Sequence, residues 1–440
     1  MLKEIKSKLD IHTLDFIKRS SRTMFIKIVG VIVLFFVSII LSNVLGPEGL
    51  GIVNFVNKLL LILSVLSMLG FESVLIKFIA ICKGKHDNQG IASTLKTSLI
   101  FNGLLSVFIA TIGAVILPYF LKLWNDNQDL YIPLLMVFVM LIPETLTRIY
   151  GSALNGYGEI WKSNLMKNQA LGITFVAIGL LIYYYFKIQY TPLSVLILYV
   201  ISRFLVAFIF LNFWKHHFSF KIKGDFNFKP MFAMAKPMLI VQGTGIIIMN
   251  LGVMILGAIG YFTDVGIYSV AAQIALIPSL FLQVSNATLS PKIADLFRKN
   301  KTVELQLMLQ RITGGLALIG LMFILIFLIF GRWLLDYWGS EFQEAYWILV
   351  ILATGEFINL SCGSNGVLLA MSGFEKINGR IAIFTLIFNI ILNAILVSSF
   401  RALGVALATA ISLIVTNIIR VIIAKRKTGI LIIPYLIKNK

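Results

Sequence analysis

Charge is what this sequence has least of. Only 13% of its 440 residues are Asp, Glu, Lys or Arg, about half the share found in an ordinary soluble domain. That scarcity, beside a hydrophobic share of 59%, excludes a water-soluble globular protein and puts the chain in the integral-membrane class. Cysteine is nearly absent: Cys82 and Cys362 stand alone, with no neighbour at disulfide-framework or metal-ligand spacing. The histidines His12, His86, His216 and His217 fall in segments that read as loops or tails, and none has a carboxylate or Cys at ligand spacing. Also missing are paired-carboxylate, nucleophile–base and Gly-rich nucleotide motifs. The longest loops expected outside the membrane, around 118–130 and 331–344, hold only scattered Asp126, Asp129, Asp336 and Glu341. Neither an enzyme nor a bound cofactor or metal is expected.

What the chain does have is long apolar runs. A transmembrane helix needs about 20 mostly apolar residues, and twelve such spans can be counted, at about 24–44, 52–76, 92–117, 131–151, 165–186, 192–213, 232–259, 265–289, 308–330, 345–370, 380–398 and 403–424. The first starts near Met24 without a small-x-small cleavage site, so it reads as a retained span and not a signal peptide.

The net charge of +19 would raise the question of nucleic acid in a soluble protein. Its placement points elsewhere. Loops after odd-numbered spans carry only Lys122, Lys187, Arg332 and Arg401, whereas the other side collects most of the other basic groups, from Lys3 and Lys6 through Lys83 and Lys85 to Lys425, Arg426 and Lys427. Positive charge is retained on the cytoplasmic face. Both termini are therefore expected in the cytoplasm, with anionic inner-leaflet lipid as a general partner and no nucleic acid. Residues 1–20 mix Lys with Leu2, Ile5, Leu9, Leu14 and Ile17, a pattern that suits a short interfacial helix or a frayed basic tail.

The chain also reads as one unit written twice. The hairpin tip Leu45-Gly-Pro-Glu-Gly-Leu-Gly51 is echoed near Gly260–Gly266, and Ala153–Glu159 is echoed by Ala370–Lys376 at an offset of 217. The longest non-apolar stretch, Lys215 to Lys229, lies between the two copies. Expected domains are a six-helix lobe at 1–214, a cytoplasmic linker at 215–230 and a second six-helix lobe at 231–440. Six spans is an even number, so the two copies enter the membrane in the same sense, as parallel repeats.

Charges inside spans are the best guide to a site, because one at mid-bilayer costs roughly 2.5–3.5 kcal/mol on insertion scales. Arg203 lies near the middle of span six. Lys58 shares a polar face of span two with Asn54 and Asn57. Glu144 and Arg148 in span four are four apart, where opposite charges meet on a helix. In the second half Glu356 stands in span ten with Asn359 a turn later. A cationic cavity for an anionic group is the functional reading of Arg203, Lys58 and Arg148; structural pairing or snorkelling is the alternative. Glu356 and Glu144 are the candidates for ion coupling.

Those residues resemble a known family. The hairpin Leu45–Gly51, after an apolar span preceded by Arg22, and the run Gly266-Ile-Tyr-Ser-Val-Ala-Ala-Gln273 leading to Leu289-Ser-Pro291 are similar to the polysaccharide-export branch of the multidrug/oligosaccharidyl-lipid/polysaccharide (MOP) superfamily. The resemblance implies an all-α integral membrane fold of two six-helix lobes. It also implies a flippase that moves undecaprenyl-diphosphate-linked oligosaccharide across the bacterial inner membrane, with Arg203, Lys58, Asn54, Asn57, Arg148 and Arg22 meeting the substrate. A polysaccharide polymerase and chain-length machinery would be its partners. Where many relatives carry an acidic residue in span seven, this chain has Asn250-Leu251. A multidrug cation antiporter of the same superfamily is the alternative, and a membrane polymerase or ligase a more distant one.

Overall fold

The computed structural model describes residues 11–124, 128–167, 170–217 and 228–434, and the side chains of all these except 11–27, 123, 128, 166, 167, 170, 215–217, 237 and 240–242. Backbone groups in an apolar solvent must satisfy one another within the segment, and a helix does so. Accordingly no strand occurs among the described residues. The helices are α1 (Ile11–Met68), α2 (Phe71–Gly84), α3 (Asn88–Leu123), α4 (Tyr131–Gly156), α5 (Ile160–Lys167), α6 (Ala170–Tyr185) and α7 (Pro192–His217). They continue with α8 (Phe228–Ile259), α9 (Phe262–Ala275), α10 (Ser279–Arg298), α11 (Thr302–Asp336), α12 (Tyr346–Cys362), α13 (Asn365–Met371) and α14 (Glu375–Thr428).

Seven of these are long and apolar enough to cross a bilayer, and α9 with α10, bent by 49°, can make an eighth. Two of the seven each contain two expected spans: a single non-helical residue divides α1 at Gly46 (φ 67°, ψ −177°) and α14 at Arg401 (φ 48°, ψ −126°). Pro47 directly after the break costs nothing, because the first helical position has no backbone bond to lose. Expected span two, 52–76, is interrupted. Leu69 and Gly70, both left-handed at φ 43° and 82°, separate α1 from α2. The carbonyls exposed by that break are met by the fully buried Asn102, whose Nδ2 donates to Ser67 O at 2.9 Å and Met68 O at 3.0 Å.

The repeat is visible in the backbone. Left-handed residues recur 214 positions apart at Gly46 and Gly260, His86 and Asn300, and Lys187 and Arg401, and 215 apart at Gly158 and Gly373. The helix-ending bond from Glu159 N–H to Leu154 O is matched by that from Phe374 N–H to Leu369 O, both 2.9 Å. Alignment on these turns corrects the second echo from 217 to 215, because the left-handed Gly373 corresponds to the left-handed Gly158 and not to Gly156.

The chain forms two compact units. The first is Met1–Leu45 with Val56–Gly243, the second Gly46–Phe55 with Thr244–Lys440. In the first, Phe71, Leu75, Ile79, Ile149, Leu154 and Phe210 form a core, joined by Phe101, Phe228 and Phe232 with ring centroids 4.6–6.3 Å apart. In the second, the two hairpin tips meet: a Cβ on Gly51 would run into the Phe262 carbonyl, and one on Gly266 into the Pro47 carbonyl. Between the two arms of α14 runs a polar ladder. Thr385 and Thr416 hydroxyls lie 2.6 Å apart, and Asn389 Nδ2 donates to Ala408 O and Ser412 Oγ. Large aromatics such as Tyr119, Phe120, Tyr184, Tyr185, Trp333, Tyr337 and Trp347 are exposed at the helix ends beside loops that follow odd-numbered spans, as in an interfacial belt.

Candidate functional site

A buried ionic network holds three helices of the first unit together. Gly70 turns the chain so that Glu72 enters the first turn of α2, where a carboxylate is favoured by the helix dipole. On α4, Glu144 and Arg148 are one turn apart, and Arg148 Nε donates to Glu144 Oε1 at 3.0 Å. Arg148 Nη1 reaches Glu72 Oε1 at 2.7 Å. From α7, Arg203 Nη1 donates to the other oxygen of Glu144 at 2.7 Å. Glu144, Arg203 and Arg148 are 2%, 6% and 8% exposed. Two guanidiniums and two carboxylates cancel formally, so this network neutralises itself. A charge of that kind is costly to bury and costlier still to leave half-paired. The Nε–H of Arg203 is buried and has no acceptor among the described residues.

Lys58 is a different kind of charge. Helix begins again at Pro47, so Lys58 lies about 16 Å along it at 1.5 Å per residue, deeper than the two turns that a span starting at 52 implies. It is half-buried, and no ion pair to it exists among the described residues. Asn54 and Asn57, one turn and one residue before it on α1, are also half-buried. Arg22 lies on α1, but its side chain falls outside the described residues.

Glu356 in the second unit sits in a set of amides. Asn359 Nδ2 donates to Glu356 Oε2 at 3.0 Å, and Asn417 Nδ2 donates to Asn359 Oδ1 at 3.1 Å. Glu356 is 8% exposed. Asn250 turns back onto its own helix, its Nδ2 donating to Ile246 O at 2.7 Å.

The sequence reading paired Glu144 with Arg148, and the structure adds Arg203 and Glu72 to that pair. Glu72 was missed because it sits in a run that reads as one continuous span; the signal was a glycine followed by an acid within an apolar stretch. Asn389, Asn417 and Arg420 were missed as well, although amides recurring at one-turn spacing in an apolar run are visible in the sequence.

Fold and site define a multi-pass, all-α membrane protein of the MOP-superfamily type. An inward-facing multidrug resistance MATE family transporter of that superfamily matches with a TM-score of 0.74 at 14% identity, over 92% of this chain and 94% of that one. The lipid II flippase MurJ, in an inward closed conformation, matches with a TM-score of 0.72 at 16% identity, over 93% and 87%. The chain belongs to the polysaccharide biosynthesis protein family, whose model matches residues 17–297. Capsular polysaccharide biosynthesis protein CapF of Staphylococcus aureus is 22% identical over 387 residues, covering 86% of this chain and 91% of CapF. These likenesses place the chain with transporters and not with enzymes, in the branch that the hairpin motif resembles.

Proposed function

We propose that the protein is a flippase that carries undecaprenyl-diphosphate-linked oligosaccharide repeat units from the inner to the outer leaflet of the bacterial cytoplasmic membrane by alternating access. Family membership supports a lipid-linked glycan as cargo, and the lipid II flippase MurJ supports the transport step by analogy of fold. The observation that carries the reading is Lys58, a deep, half-buried cation without an ion-pair partner among the described residues. Such a charge calls for an anion, and a diphosphate is one. Asn54 and Asn57 share its face, and Arg22 lies on the arm of α1 before the break at Gly46. Arg203 and Arg148 are held by Glu144 and Glu72, and Arg203 keeps a spare Nε–H for the cargo. Glu356 and Glu144 are the coupling candidates. With both termini cytoplasmic, the delivered units reach a polymerase and chain-length machinery on the outer face.

A dianion leaving a negative interior gains about 2.3 kcal/mol per elementary charge per 100 mV, so the potential favours export. Reconstitution into proteoliposomes with a fluorescent undecaprenyl-diphosphate glycan tests the proposal. Wild type and Lys58→Arg translocate the probe; Lys58→Ala slows it at least tenfold; collapsing the potential slows wild type. Undiminished flipping by Lys58→Ala would remove the residue on which the site is built.

A further inference from the structure

Three arginines with described side chains are buried or half-buried: Arg148, Arg203 and Arg420. The first two hold carboxylates, whereas Arg420 holds an amide, Nε donating to Asn378 Oδ1 at 3.2 Å. No carboxylate pairs with it among the described residues, so both of its terminal NH2 groups are left for a ligand. The guanidinium lies beside Gly366, where a Cβ would stand 3.6 Å from Cζ. A glycine at this point leaves the face of the guanidinium uncovered. Asn378 Nδ2 in turn donates to Gly366 O at 3.4 Å, so α13, the start of α14 and its end are tied around the one cation. Nearby on the chain, Ser364 and Asn365 are almost fully buried, and Ser364 Oγ and Asn365 Oδ1 have no partner among the described residues.

The position along α14 says what reaches this group. Arg420 follows the break at Arg401 by 19 residues, about 28 Å of helix, which carries it from one face of a hydrocarbon core about 30 Å thick to the other. Between one and two turns further on stand Lys425, Arg426 and Lys427, basic groups of the kind that gather anionic lipid. A planar fork of donors matches phosphate oxygens two at a time, and a guanidinium is less strongly hydrated than an ammonium and better suited to a half-dry site.

We propose that Arg420 binds a lipid-borne phosphate at the inner-leaflet headgroup level of the second unit. The proposal rests on the orientation given above and not on translocation. The phosphate belongs either to a resident anionic phospholipid or to the diphosphate of a lipid-linked cargo arriving from the cytoplasmic leaflet.

Purified full-length protein in neutral detergent decides it by native mass spectrometry and thermal shift with three probes: phosphatidylglycerol, undecaprenyl diphosphate, and diacylglycerol, which has no phosphate. Wild type is expected to bind at least one phosphate-bearing lipid and gain thermal stability, with no effect of diacylglycerol. Arg420→Gln binds about tenfold more weakly, the loss of one charge-assisted contact. Arg420→Lys recovers part of that affinity. Gly366→Leu covers the guanidinium and weakens binding while the charge remains, so it serves where Arg420→Gln folds poorly. Preference for undecaprenyl diphosphate identifies the cargo as the source, and equal binding of phosphatidylglycerol identifies a resident lipid. Unchanged affinity in Gly366→Leu or in a folded Arg420→Gln, or diacylglycerol binding as well as the phosphate-bearing lipids, overturns the assignment. Because no transport is measured, a failure of flipping leaves this result standing.

Discussion

Gly51 lies against the carbonyl four residues before Gly266, and Gly266 lies against the carbonyl four residues before Gly51. The two glycines are equivalent positions of the repeat, so the contact is reciprocal, and a side chain on either one meets backbone that cannot turn aside. Gly51→Ala and Gly266→Ala are each expected to lower the thermal unfolding temperature in detergent substantially, by the mechanism of overpacking at about 1–3 kcal/mol or more. Gly245→Ala, at a helical site where a Cβ meets nothing, is the control and should be neutral or slightly stabilising. Equal behaviour of all three would show that the tips do not touch.

Glu144 is the hub of the ionic network, and its loss leaves the buried Arg203 without a carboxylate and Arg148 with Glu72 alone. Glu144→Ala is expected to cost about 3–5 kcal/mol. Removing Arg203 in the same chain should return part of that loss, so that the double variant is more stable than the sum of the single changes. A double-mutant cycle on unfolding free energy measures the coupling; additivity within error would mean that the 2.7 Å pair is not made in the membrane.

How much of this could be read beforehand differs from residue to residue. That the chain is built of long apolar helices was legible because hydrocarbon tolerates little else, and Glu144 with Arg148 was legible because i and i+4 face each other. Arg203 could be singled out as a charge in a span, but its partner could not, since nothing local says that α7 lies against α4. Hydropathy sets Lys58 too near a helix end because the whole hairpin tip reads as loop, whereas one residue, Gly46, makes the turn and Pro47 already starts the next helix. Asn102 looked unremarkable among apolar neighbours. Its purpose becomes visible only with the break at Leu69 and Gly70, which a hydropathy count passes over.

Asn102→Leu keeps the branched shape and removes both donors to Ser67 O and Met68 O. Two buried carbonyls then go unpaired, at about 1–3 kcal/mol each. Loss of thermal stability should exceed that of Asn389→Leu, whose interhelical bonds in the ladder of α14 are of a kind worth about 0.6–1.7 kcal/mol inside a bilayer. The comparison needs only melting curves of the two purified variants.

Sidedness is open to direct labelling. In a cysteine-free background, a cysteine at Tyr185 or Trp347, both exposed, should react with an impermeant maleimide added to whole cells. One at Lys85 or Lys376, also exposed, should react only after the membrane is opened. The reverse pattern would invert the orientation given above.

Segment 46–55 is made early and packs with residues made late. The Phe262 carbonyl that Gly51 rests on is translated more than 200 residues after it, which at about 5–20 residues per second is a delay of roughly 10–40 seconds. During that interval the first hairpin sits in the bilayer with its tip unmatched. Chaperoning by the insertion machinery, or a provisional neighbour, has to cover the gap until the later copy emerges, and a ribosome pausing between the two repeats would lengthen the most vulnerable moment of the protein's synthesis.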